Sequence, residues 1–180
     1  MPLVSQNILY LSASLLCAVC GAAWDLRTRR IPNLLTGIFI LAGLFLHLVV
    51  GGWRQMGLAA AAGLIAGAVF LLFYIAGGMG GGDVKLMTAV ACLAGTHSVV
   101  ELLAATAITG GILALVLCVR HGMLLETFRN LGTLFTHHLR EGLKPHAELN
   151  VTNEHRLRLP YALAIAMGCS ITLLSQVGLR

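Results

Sequence analysis

Aspartate is nearly missing from this sequence: Asp25 and Asp83 are the only two. Charge of either sign is scarce, at 11% of 180 residues, against a hydrophobic share of 58% and a mean hydropathy of +0.88. Soluble domains hold roughly 25% charged residues, so a soluble fold is excluded. No charged residue precedes Asp25. The first apolar run, Leu3–Trp24, therefore lacks the basic flank of a secretory signal peptide and reads as a retained transmembrane helix.

Other absences narrow the function. Cys17 and Cys20 form a C-x-x-C inside that first run, but a zinc site of this spacing needs a second pair of ligands. Cys92, Cys118 and Cys169 stand alone in other apolar runs. His121, His137, His138, His146 and His155 are irregularly spaced and belong to no carboxylate–histidine motif. Nucleotide loops, nucleic-acid motifs and internal repeats are all lacking. No metal, no cofactor and no nucleic-acid partner is expected.

What remains is a series of apolar runs. A bilayer-spanning helix needs roughly 20 mostly apolar residues. Candidates are Leu3–Trp24, Leu34–Val50, Leu58–Ala76, Val84–Gly95, Val99–Val119 and Pro160–Val177. The expected fold is an all-α integral membrane protein, a single domain over residues 1–180 with about six transmembrane helices, one of them short. Ser98 and Glu101 form S-x-x-E, a capping-box pattern opening the fifth. In the polar loop His121–Leu159, Leu124, Phe128, Leu131, Phe135 and Leu139 recur at helical spacing. They predict an amphipathic helix on the membrane surface. Asn150-Val151-Thr152 matches a glycosylation acceptor in form only.

With the N-terminus outside, ten of the twelve basic residues fall on the inner side, leaving Arg54 and Arg180 outside. That is the positive-inside pattern. Both aspartates then lie at the cytoplasmic face. The run from Asp83 to Thr96 would span about 21 Å as a helix, less than the ~30 Å hydrocarbon core. Asp83 is therefore expected below the inner surface, in a small cavity open to the cytoplasm.

Five of the six residues from Gly77 to Gly82 are glycine. Such a stretch holds a helix poorly, and irregular backbone is expected there. It ends on Asp83. Carboxylates at membrane depth are functional candidates by default. Two of them in a partly dry cavity resist ionising together, and so share one proton. That state suits peptide hydrolysis: one acid takes a proton from water while the other hydrogen-bonds the carbonyl. Arg27, Arg29 and Arg30 can hold a lipid phosphate, though positive-inside anchoring explains them equally. Pro32 sits where a second helix would start, with Asn33 able to bond the turn. Lys85 either snorkels to headgroups or positions substrate.

Three segments carry a resemblance. Asp25-Leu26-Arg27-Thr28-Arg29-Arg30-Ile31-Pro32-Asn33 resembles the first aspartate motif of the type IV prepilin peptidases. Gly80-Gly81-Gly82-Asp83-Val84-Lys85-Leu86 resembles their second, the G-x-G-D signature with its lysine. Leu159–Gly168 is similar to the segment opening their last helix, with Ala162 where the family more often has glycine. The resemblance implies a bacterial inner-membrane aspartic endopeptidase with Asp25 and Asp83 catalytic. Gly80, Gly81, Gly82, Lys85 and Asn33 would bind or position substrate. Its partners would be membrane lipid and a prepilin or pseudopilin, whose short basic leader is cut at the cytoplasmic face. Larger members carry a zinc-binding cytoplasmic insertion and N-methylate the new terminus. Here only Asp25–Asn33 joins the first two helices. That implies a peptidase without methyltransferase activity, similar to the compact enzymes of tight-adherence (type IVb) pilus systems. The sequence leaves the oligomeric state open. Two other readings use the same residues: a small proton- or ion-coupled transporter with the aspartates as relay, and a non-catalytic scaffold of a secretion machine.

Overall fold

The computed structural model describes residues 3–122 and 161–178. Within them the chain is all-helical: α1 (Leu3–Thr28), α2 (Asn33–Ile75), α3 (Gly81–Ala94), α4 (Val99–Arg120) and α5 (Tyr161–Gly178). The surface-helix expectation for His121–Leu159 falls almost wholly outside the described residues. So do Leu159 and Pro160.

As a straight rod, α2 would put Asn33 and Tyr74 about 60 Å apart. Instead both adjoin the start of α3. Lys85 Nζ lies 2.8 Å from Asn33 Oδ1, and a Cβ on Gly81 would lie 3.5 Å from the Tyr74 ring. The chain doubles back at Gly52, whose φ of 73° and ψ of −173° break the helix. A side chain is disfavoured in that conformation, which is why glycine stands there. The two arms, residues 33–51 and 53–75, both pack on α3, meeting at Cys92, which approaches the Ile40 carbonyl of the first and Gly63 of the second.

Four helices among the described residues are long and apolar enough to cross a membrane: α1, α2, α4 and α5. The expected count is six, and the difference lies in how the elements divide. The second and third expected spans fall on the two arms of one 43-residue element, and α3, at 14 residues, is too short to count.

Short as it is, α3 forms the centre of the bundle. Leu86, Met87, Ala89, Val90, Ala91, Leu93 and Ala94 are all buried. The second arm of α2 presents Ala59, Ala62, Gly63, Ala66, Gly67 and Phe70 to it, a stripe at helical spacing. In lipid there is little hydrophobic drive between helices, so close van der Waals packing of small residues must hold them together. A Cβ on Gly63 would come within 3.1 Å of the Thr88 carbonyl oxygen. On the other side, Gly21 of α1 receives the Leu86 side chain, while α5 packs against α1 and α4. Leu41, Phe45, Leu64 and Leu174 project outward. Such an outer surface suits lipid rather than water.

Candidate active site

The site forms where the end of α1, the link to α2 and the start of α3 meet. Thr28 closes α1, its hydroxyl donating to the carbonyls of Trp24 (3.0 Å) and Arg30 (2.9 Å). Arg29 follows in the left-handed region, φ 52°, with its N–H 2.7 Å from the Asp25 carbonyl oxygen. Glycine usually takes that role at a helix end. An arginine there costs about 1–2 kcal/mol. The turn delivers Ile31, which is buried, onto Gly82, where a Cβ would stand 3.4 Å from that of Ile31. Pro32 then takes an extended conformation (φ −64°, ψ 137°) and α2 begins at Asn33.

The glycine stretch is less irregular than expected. Its first part is a helix stop. Gly77, φ 78°, donates to the Tyr74 carbonyl, and Gly78 to that of Phe73. This Schellman pattern satisfies the last carbonyls of α2. Its second part is a helix start: Gly81 and Gly82 belong to the first turn of α3, with Gly80 extended before them. Only the short bridge between stays irregular, and Met79 buries its side chain in the core there. Asp83, in the first turn, offsets part of the glycines' poor helix propensity. The Gly80 N–H donates to Asp83 Oδ2 at 3.3 Å, and an acid in a first turn complements the helix dipole.

Asp25 and Asp83 face one pocket of about 300 Å³, lined also by Arg29, Arg30, Ile31, Gly80, Gly81, Gly82 and Lys85. The two carboxylates lie within electrostatic reach of one another. Asp83 is 9% exposed and Asp25 half-buried, with the Arg29 charge near the latter. Asn33 does not line the pocket. Nor does its side chain bond the turn, as expected; it accepts Lys85 Nζ instead and so holds that ammonium at the rim.

Tyr161, at the first turn of α5, also comes within electrostatic reach of Asp83. The sequence offers it only as part of a helix-opening segment.

Glu101 overturns its expectation. Ser98, at φ −109° and ψ −6°, lacks the extended conformation that aims a capping hydroxyl at the helix, and its oxygen is buried without a partner. The Glu101 carboxylate instead accepts from the Ser175 hydroxyl and from Gln176 Nε2 (3.2 Å), tying α4 to α5. Cys17, Cys20, Cys92 and Cys169 are free thiols.

A sequence model of the type IV leader peptidase family matches residues 10–115. The chain belongs to the type IV leader peptidase family. The match contains both aspartates, Asn33, the glycine stretch and Lys85; the Leu159–Gly168 segment lies beyond it. Membership makes the chain one of a family of proteases, and its apolar helices fit a membrane peptidase. No curated protein and no solved structure matches the chain.

Proposed function

We propose that this leader peptidase family member is an aspartic endopeptidase, with Asp25 and Asp83 as its acid–base pair. The observation that carries the reading is the meeting of these two carboxylates, from separate helices, in one small pocket. Held together and partly dry, the pair retains a single proton. A water between them loses a proton to the ionised acid as it attacks the peptide carbonyl. The protonated acid donates a hydrogen bond to the carbonyl oxygen as charge builds there, then passes its proton to the departing amine. The pair titrates as a unit, so neither member is assigned a fixed role.

The turn through Gly80, Gly81 and Gly82 would bring the extended substrate backbone beside Asp83, and Lys85, steadied by Asn33, would orient it from the rim. The substrate is a prepilin or pilin-like secretion protein, cut between a short basic leader and its hydrophobic helix. In this reading both arms of α2 and the short α3 cross the bacterial inner membrane, making six spans. The N-terminus lies outside, and the pocket opens to the cytoplasm. The link between α1 and α2 is too short to hold a zinc-binding insertion, which supports cleavage without N-methylation.

The test is direct. Detergent-purified protein is incubated with a candidate prepilin and the products are weighed by mass spectrometry. Loss of the leader alone, with no added methyl group, is the expected result. An uncut substrate under conditions where the protein stays folded would overturn the reading.

A further inference from the structure

Among the described residues, those lining the pocket carry more positive charge than its carboxylates can balance. Arg29, Arg30 and Lys85 line it along with Asp25 and Asp83. Three cations face two acids, so a positive surplus persists even with both acids ionised, and it grows when they share a proton. Lys85 is held in place by a neutral amide, Asn33, rather than by an acid. Arg29 is brought to the pocket by backbone in the left-handed region, a conformation that persists only when its surroundings favour it.

The neighbours of this cationic rim are apolar and bare. Leu26, just before the link between α1 and α2, is 62% exposed, and Leu34, just after it, is 75% exposed. In a membrane both contact acyl chains. A group that occupies the rim while lying against these leucines must join an oxyanion to hydrocarbon.

We propose that Arg29 and Arg30, with Lys85 of the same pocket, bind the phosphate of an anionic phospholipid whose chains lie along Leu26 and Leu34. Arginine suits this role because its planar fork grips a phosphate through two parallel hydrogen bonds. Arg27 provides the contrast. It belongs to the same basic run, yet it does not line the pocket. General attraction of basic residues to a negative membrane surface would engage all three arginines alike. A built site engages Arg29 and Arg30 and spares Arg27.

The full-length protein, in nanodiscs of phosphatidylcholine, is titrated with phosphatidylglycerol, and retained lipid is read by native mass spectrometry. Phosphatidylglycerol should be retained in preference to phosphatidylcholine. Arg29→Gln and Arg30→Gln should each weaken retention about fivefold. Arg27→Gln should leave it unchanged, and Arg29→Lys, keeping the charge, should lose less than Arg29→Gln. An equal loss with Arg27→Gln, or equal retention of the two lipids, would overturn the site. Displacement of phosphatidylglycerol by equimolar inorganic phosphate would overturn the lipid as its source. Lipid retention is read without any cleavage, so a failed peptidase assay leaves this result standing.

Discussion

Lys85 Nζ donates a 2.8 Å hydrogen bond to the side-chain oxygen of Asn33, joining the start of α3 to the start of α2. The two residues belong to the two motif segments that also carry the aspartates. The bond fixes where one of the pocket's three cations stands. Asn33→Ala should release Lys85 into solvent while costing little stability, about 0.5–1.5 kcal/mol or less for an exposed bond. Cleavage by this variant should fall through KM more than through kcat, since a positioning cation is lost and the acids are untouched. Steady-state kinetics with a prepilin peptide would read the split. A pure kcat effect would place Asn33 in the chemistry instead.

The two carboxylates should fail together. Asp25→Asn and Asp83→Asn each keep shape but cannot cycle a proton, so each should abolish leader cleavage while the protein still inserts. The double variant should be no worse than either single one, because groups acting as a unit lose nearly everything with the first removal. Glu101→Gln is the control. Its amide oxygen still accepts from Ser175, so activity should persist, with a stability loss of about 1–2 kcal/mol for the weakened α4–α5 tie. Thermal melts and product masses on the same four proteins test all of this. Full cleavage by either Asp→Asn variant would end the aspartic mechanism.

Composition made the helical membrane class legible, and apolar run lengths located α1, α3, α4 and α5 within a few residues. The two separate spans expected over α2 are one element broken only at Gly52. The packing was written more faintly. The stripe from Ala59 to Phe70 states in small residues that this arm approaches another helix closely, but not that α3 is the partner. Glu101 misled because S-x-x-E is a local signal, whereas its partners Ser175 and Gln176 are distant in sequence. Arg29 was silent for a different reason. Arginine carries no signal for a left-handed backbone, so nothing in the run of three basic residues said that Arg29 and Arg30 would line the pocket.

Gly81 sits in regular helix rather than in a hinge, and its neighbours leave room for a methyl. A Cβ there would meet the Tyr74 ring at 3.5 Å, ordinary contact distance. Gly81→Ala should therefore fold and raise stability by about 0.5–1 kcal/mol through the entropy of the unfolded chain. If the bare backbone here receives substrate, the same variant should cut more slowly despite its higher melting temperature. Gly81→Val, β-branched and stiffer, should lose more cleavage and gain no stability. Undiminished cleavage by both variants would reduce the glycine to a structural role.

Gly168 provides the sharpest packing test. Here α4 and α5 cross so closely that a Cβ on Gly168 would lie 2.5 Å from Thr106 Oγ1, 2.7 Å from its backbone nitrogen and 2.8 Å from its Cα. Nearby, the Thr109 hydroxyl donates to the Ala164 carbonyl at 3.0 Å, a bond that needs the same close approach. Gly168→Ala must therefore push the helices apart, and overpacking of this kind costs about 1–3 kcal/mol. Trimming the facing side chain should not repair it. In Gly168→Ala/Thr106→Ala the hydroxyl is gone, yet the backbone atoms of residue 106 remain in the way. The double variant should melt no higher than Gly168→Ala alone. Because α5 also carries Tyr161 toward Asp83, separating the pair should lower cleavage along with stability. Full recovery of melting temperature in the double variant would show that the contact is between side chains and that the two backbones have room to spare.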